Sequence, residues 1–389
     1  MDPVGRFLTS PSGSFFLFGP RGTGKSTWLR SRFPDSTVVD LLAPDAQRRL
    51  AARPEALAET VRAAPSDKPF IIDEIQKVPE LLDVVHLLIE ERRGRRFILT
   101  GSSARKLKRG GADLLAGRAS VSRLHPFLAS ELGERFDLGD ALRNGLLPVV
   151  WSSRDRERSL QAYVDLYMRE EIQTEGLTRS LGTFARFLET ISFSQAGLLN
   201  LSAIARDAQA GRKAVEAYVG ILEDLLLAFR IPVFARRARR KITTHPKFFF
   251  ADTGIFRALR PAGPLDRREE IEGQAIEGLV AQHLRAWIDY RGGKDHLHFW
   301  RTQAGSEVDL VLYGESGIWG VEVKNSGRVR DEDLRNLRGF LEEYPSARGI
   351  LLHRGTERAL RGGILVTPCA PFLTALRPDR SMEDAAETA

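Results

Sequence analysis

The run Gly19-Pro20-Arg21-Gly22-Thr23-Gly24-Lys25-Ser26 combines the residue types that can wrap a polyphosphate. Its glycines let successive backbone N–H groups curl around one anion without Cβ clashes, Lys25 reaches the outer phosphate oxygens, and the Ser26 hydroxyl can ligate Mg²⁺. Gly19, Gly22, Thr23, Gly24, Lys25, Ser26 and Thr27 are therefore the expected nucleotide contacts. Further on, Phe70-Ile71-Ile72-Asp73-Glu74 ends an apolar run in two adjacent carboxylates. Beside a phosphate loop, Asp73 would hold the Mg²⁺ shell and Glu74 would polarise the attacking water. In Phe97-Ile98-Leu99-Thr100-Gly101-Ser102, Thr100 or Ser102 could sense the terminal phosphate or simply cap a helix.

A second set of chemically able residues lies near the C-terminus. Glu307-Val308-Asp309-Leu310-Val311-Leu312 and Gly320-Val321-Glu322-Val323-Lys324 have strand periodicity, which puts Asp309 on one face of its strand and Glu322 with Lys324 on one face of the next. Paired acids can bind Mg²⁺ or Mn²⁺, and a lysine can orient or deprotonate water for attack on a phosphodiester. Glu277, on a preceding helix, is a possible further metal ligand. The plainer alternative is an exposed Glu322–Lys324 ion pair.

Between the two sets the chain is basic. Residues 183–260 hold 13 Lys/Arg against 6 Asp/Glu, which equals the net charge of +7 on the whole chain. Two short amphipathic helices, 201–208 and 212–227, flank a glycine turn and are followed by strand-like segments, the arrangement of a winged helix. From Arg230 to Lys247 there are seven basic residues and no acid. Arg212, Lys213, Arg236, Arg237, Arg239, Arg240 and Lys241 are the expected contacts to DNA phosphates, giving salt-sensitive, sequence-independent binding to duplex or branched DNA. A solvated loop or a protein-facing helix-turn-helix is the competing reading.

These residues need a multi-domain α/β scaffold. Phe15–Phe18, Thr37–Leu41, Phe70–Ile72 and Phe97–Thr100 are short apolar runs separated by amphipathic segments, the pattern of buried parallel strands. The expected division is a phosphate-binding core over 1–149, a helical lid over 150–182 and a winged-helix domain over 183–260. An α+β domain over 265–378 follows the linker Pro261–Pro264, and the tail 379–389 is expected to fray. The chain has 389 residues, 42% hydrophobic and 28% charged, so it can bury real cores. One cysteine permits no internal disulfide, and no 18-residue apolar run or leader-like start is present, so a cytoplasmic protein with no membrane partner is expected.

Over about residues 10–135, including Leu115-Ala116-Gly117-Arg118 and Leu124-His125-Pro126-Phe127, the chain resembles an AAA-type ATPase. It also resembles a bacterial and archaeal group in which such an ATPase is fused to a C-terminal domain of long-unknown function. The resemblance implies ATP with Mg²⁺ as cofactors and a homo-oligomeric, hexameric ring. In such a ring an arginine reaches the neighbouring subunit's γ-phosphate; Arg118 is the candidate, with Arg105 and Arg123 as alternatives. Residues 268–355 resemble the restriction-endonuclease-like nucleases, which implies metal at Asp309, Glu322 and Glu277 with Lys324 catalytic. The expected function is an ATP-driven DNA motor or remodeller with a nuclease-like domain, in repair, recombination or defence. The alternative is a nucleotide-switched regulatory ATPase whose C-terminal domain is catalytically silent.

Overall fold

The structure, a computed structural model, describes residues 4–91, 94–102, 114–168, 181–236 and 242–389. The chain forms two compact units. One is Leu8–His125 with Glu223–Leu226, and the larger comprises Pro126–Leu222 and Leu227–Ala389 with the N-terminal residues up to Phe7. The phosphate-binding unit thus ends at His125, earlier than the expected 149. Pro261–Pro264 is a short connection inside the larger unit and does not separate two bodies.

The smaller unit is built on an all-parallel sheet of β1 (Phe15–Phe18), β2 (Thr37–Asp40), β3 (Phe70–Asp73), β4 (Phe97–Gly101) and β5 (Ser120–Arg123), in the order β2-β3-β4-β1-β5. Strands β1, β3 and β4 read as continuous apolar runs because both faces are covered. Phe16, Phe70, Ile72 and Leu99 share a core with residues of α2 (Pro44–Ala52), α3 (Ala56–Ala63) and α4 (Leu81–Glu90). Phe15, Leu17, Ile71 and Ile98 pack on the other face with Trp28 and Leu29 of α1 (Lys25–Arg32). Edge strand β5 exposes Ser120 and Val121, so no apolar run announced it. Strand order reverses at β1, and the carboxyl ends beside such a reversal form the crevice where open α/β sheets bind ligands.

The larger unit opens with short helices α5 (Ala129–Leu132), α6 (Leu138–Asn144), α7 (Pro148–Trp151) and α8 (Arg156–Ala162), then a π-helical stretch at Tyr163–Met168. Residues 169–180 of the expected helical lid lie outside the described residues. Next come α9 (Leu181–Ser192), β6 (Gly197–Leu198), α10 (Leu201–Asp207), α11 (Arg212–Asp224), β7 (Ala228–Ile231) and β8 (Lys247–Phe250). Asn200 caps α10 through its side chain, and β8 is the middle strand of an antiparallel sheet ordered β6-β8-β7.

After α12 (Thr253–Leu259), the long α13 (Arg268–Tyr290) leads into β9 (His296–Arg301), β10 (Glu307–Gly314) and β11 (Gly317–Lys324). Then follow α14 (Arg335–Glu343), β12 (Arg348–His353), β13 (Ala359–Arg361), β14 (Ile364–Pro368), α15 (Cys369–Ala375) and α16 (Met382–Thr388). The sheet order is β13-β14-β12-β11-β10-β9. Phe299 and Trp300 are core residues, as their apolar mass suggests.

Two sequence expectations fail here. The tail does not fray: Ser381 and Asp384 form a reciprocal capping box, and α16 buries Met382, Ala385 and Ala386. Nor are the flanks of the β7–β8 connection a free wing. Phe234 N–H donates to the Phe299 carbonyl at 2.6 Å and Thr243 N–H to the Arg301 carbonyl at 3.1 Å, so both flanks run along the edge of β9. Covering an edge strand removes unpaired backbone groups that would otherwise recruit another chain. Among the described residues, no helix is long and apolar enough to cross a membrane.

Candidate functional site

The phosphate loop leaves the carboxyl end of β1. Gly22 and Gly24 take φ of 80° and 85°, a left-handed backbone that side-chain-bearing residues rarely adopt. Gly19 is needed for a different reason, since a Cβ there would stand 2.5 Å from the Leu124 carbonyl oxygen. Helix α1 starts immediately after Gly24 with neither a side-chain cap nor an acid in its first turn, so its N-terminal N–H groups and dipole face the loop. The buried Thr23 hydroxyl closes the loop by donating to the Pro20 carbonyl at 2.8 Å. Lys25 folds its ammonium onto the carbonyls of Gly19 (2.7 Å) and Pro20 (3.3 Å), inside the loop where phosphate oxygens would compete for it. Thr27 is exposed on the first turn.

Strand β4 lies between β1 and β3, and this placement joins the loop to the acids. The Ser26 hydroxyl donates to Asp73 Oδ2 at 2.8 Å, while the Thr100 hydroxyl donates to Asp73 Oδ1. Thr100 Oγ1 also accepts the Glu74 N–H at 3.0 Å. Thr100 is wholly buried, so its hydroxyl rigidly couples the two acids. A hydroxyl and a carboxylate are hard oxygen donors suited to Mg²⁺, which commonly takes one or two protein ligands beside substrate phosphates. Ser26 and Asp73 would hold it there, and when bound it would neutralise charge on the phosphate oxygens.

Glu74 itself adopts φ of 60°, strain held by the turn that follows β3. Its carboxylate accepts from Gln76 Nε2, which also donates to Ser102 Oγ at 3.1 Å. Gln76 was not singled out from the sequence; the only signal was a polar residue two places beyond the acid pair. Gly101 leaves room for it, since a Cβ there would lie 2.7 Å from Gln76 Oε1. Of the two expected hydroxyls, Thr100 orders the acids and Ser102 orders Gln76.

The arginines and basic residues are less gathered. Arg118 is exposed and pairs with Glu90 at 2.5 Å, and Arg123 is exposed at the end of β5; Arg105 lies outside the described residues. Arg212 and Lys213 are exposed at the start of α11. Arg236 lies over the Tyr313 ring at 4.5 Å and donates to its hydroxyl at 3.2 Å, so the C-terminal sheet already holds this guanidinium. Arg237, Arg239, Arg240 and Lys241 lie outside the described residues.

The C-terminal acids converge around a lysine. A bulge in the β9–β10 pairing between Val308 and Val311 aims Asp309 so that its Oδ2 accepts the Val323 N–H at 2.8 Å. Lys324 pairs with Glu322 at 2.8 Å. The centre of the group is taken by Lys247, whose ammonium lies 2.5 Å from Glu307, 2.8 Å from Glu277 and 3.8 Å from Asp309. Lys247, counted from sequence among the wing cations, is 1% exposed. Burial alone would make its proton easier to lose, but Glu277, Asp309 and Glu307 more than reverse this and raise its pKa above the ordinary lysine value. Burial raises the Glu277 carboxyl well above its usual range against the opposing pull of Lys247, and burial with Asp309 raises Glu322. Among the described residues no three acidic, histidine or cysteine side chains are set to share a metal ion. An internal ammonium thus sits among Asp309 and Glu277, two of the residues expected to hold a metal, and Glu307 is the member the sequence reading missed.

A parallel sheet with a glycine loop on one strand end and an acid pair on another defines a P-loop nucleotide-hydrolysing fold. In agreement, residues 12–133 match the family described as an AAA domain. Residues 135–266 and 272–372 match two families each described as a domain of unknown function, DUF8612 and DUF4143. The chain thus carries an AAA domain of the P-loop ATPase family in its N-terminal part and DUF4143 in its C-terminal part. An uncharacterised protein of Mycobacterium tuberculosis and one of Mycobacterium bovis are each 26% identical over 371 residues, covering 92% of this chain and 80% of their own. A solved Type III CRISPR defence DNA nuclease activated by cyclic oligoadenylate aligns with 92% of this chain and 48% of its own, at 13% identity and a TM-score of 0.20, too distant to carry any argument.

Proposed function

We propose that the chain is an ATP-hydrolysing, DNA-acting remodeller that works as a homo-oligomeric ring. One observation carries the hydrolysis: Thr100 ties Asp73, beside Ser26, to Glu74, so the residues for Mg²⁺ and water are linked through one buried hydroxyl. Lys25 and the α1 N-terminus bind the phosphates, and Glu74 orients the water. The DNA reading draws on the helix-turn-helix at α10–α11 with its following hairpin, in winged-helix order, and on exposed Arg212 and Lys213. An exposed arginine, Arg118 or Arg123, would complete the neighbour's site in the ring.

A second reading, a nucleotide-switched regulatory ATPase with a silent C-terminal domain, is favoured by Phe234, Arg236 and Thr243 lying on the C-terminal sheet. ATP turnover measured with and without branched duplex at low salt separates the two. Stimulation of several-fold supports the remodeller. Turnover unaffected by any polynucleotide removes it and leaves the switch.

A further inference from the structure

Four carboxylates meet at the junction of α13, β10 and β11: Glu277, Glu307, Asp309 and Glu322. Three cations face them. Arg301 pairs with Glu307 at 2.8 Å, Lys324 with Glu322 at 2.8 Å, and Lys247 touches Glu277 and Glu307 with Asp309 just beyond. The two outer cations approach from β9 and β11, whereas Lys247 enters from the other sheet and takes the centre. One oxygen, Glu322 Oε2, is buried without a hydrogen-bond partner.

The position of Lys247 is set by backbone as well as by charge. It starts β8, the middle strand of its sheet, paired with Leu198 on one side and Ile231 on the other. Its ammonium lies over the Phe299 ring, 5.6 Å from the ring centroid. The two ladders fix the backbone of Lys247, and burial among Glu277 and Glu307 holds its ammonium in the cluster. A divalent ion drawing on Glu277, Glu307 and Asp309 would need the volume and the lone pairs that the ammonium already uses.

We infer that Lys247 is the resident cation of this cluster, a built-in ammonium among the acids from which the sequence pattern leads one to expect a divalent-ion site. The four acids serve to anchor the β7–β8 hairpin on the C-terminal sheet, and the cluster performs no phosphodiester hydrolysis. The inference goes beyond the proposed function by assigning the C-terminal acids a structural role, and it is independent of ATP turnover, which is assayed separately so that failure of one leaves the other standing.

The test uses the full-length, nucleotide-free protein titrated with Mn²⁺. Wild type and Asp309→Asn are expected to bind Mn²⁺ alike, and neither should nick supercoiled plasmid with Mg²⁺ or Mn²⁺. Lys247→Met, which keeps the stem and removes the charge, should bind Mn²⁺ at least tenfold more tightly than wild type, and adding Asp309→Asn should abolish the gain. A folded Lys247→Met protein with no gain overturns the inference. So does wild-type Mn²⁺ binding, or nicking, that Asp309→Asn weakens tenfold. If Lys247→Met does not fold, the wild-type and Asp309→Asn comparison decides alone: identical titrations and no nicking support the resident ammonium, and a tenfold difference refutes it.

Discussion

Replacing Thr100 by valine keeps the shape of a wholly buried side chain and removes one hydroxyl. Two bonds go with it: the donation to Asp73 Oδ1 and the acceptance of the Glu74 N–H at 3.0 Å. A hydrogen bond to a charged group is worth about 1.5–3 kcal/mol, and a buried donor left unmade costs roughly 1–3 kcal/mol. The two losses share one hydroxyl and do not simply add, so destabilisation of about 3 kcal/mol is expected for the N-terminal unit. At about 3–5 °C per kcal/mol for a unit of this size, its melting transition should fall by roughly 10 °C. Glu74 would also lose the contact that fixes its left-handed backbone, so kcat for ATP should drop roughly 100-fold while nucleotide affinity stays within a few-fold. Calorimetry, equilibrium nucleotide binding and steady-state hydrolysis read the three quantities, with Thr100→Ser expected to restore most of each. A valine variant with unchanged melting and turnover would show that Thr100 does not couple the acids.

Lys25→Ala should abolish tight ATP binding, whereas Glu74→Gln should keep binding and lose turnover by about 10²-fold or more, seen by titration and by phosphate release. Gln76→Ala frees the Glu74 carboxylate and should lower kcat roughly tenfold with KM little changed; an unaltered kcat would remove Gln76 from the reaction. Converting Arg212 and Lys213 together to alanine should reduce the slope of log affinity for DNA against log salt by about two, since each phosphate contact releases roughly one counterion. His283 is fully buried, accepts the Ala129 N–H through Nε2 at 2.9 Å, and has a pKa lowered by burial from 6.5 to about 4. The folded state therefore refuses a proton that the unfolded chain takes, so this contribution to stability is complete above pH 6.5 and falls as the pH drops to about 4. Urea unfolding across that window should show His283→Gln less pH-dependent than wild type by about 3 kcal/mol.

The phosphate loop, the acid pair and strands β1, β3 and β4 were legible because each is a local pattern: glycines at fixed spacing, or apolar runs buried on both faces. The bridging role of Thr100 was half legible, since the sequence placed a hydroxyl at a strand end but could not say that β4 lies between the loop and the acids. Lys247 was misread for a physical reason. The stretch before it, Arg230 to Lys247, holds cations and no acid, which suggests solvent, while the nearest in sequence of the acids it pairs with, Glu277, is 30 residues away and joins it only through packing. Glu307 was overlooked although period two places it on the face of Asp309. The tail carried its capping signal in Ser381 and Asp384, and its polar, acidic composition hid Met382, Ala385 and Ala386, which α16 buries. Strand β5 gave no signal because an exposed edge needs no apolar run.

The way Phe234 and Thr243 lie along β9, with Lys247 among the acids beyond it, sets the smallest piece of the larger unit that can stand alone. A fragment begun after Pro264 would carry Glu277, Glu307, Asp309 and Glu322 without their central ammonium and would bare one edge of a mixed sheet. Both faults act in the same direction, raising repulsion inside the fold and leaving backbone groups open to other chains. Limited proteolysis near Pro261–Pro264 should therefore leave two halves that stay associated under native conditions, and the C-terminal half should become soluble by itself only when the β7–β8 hairpin is supplied with it.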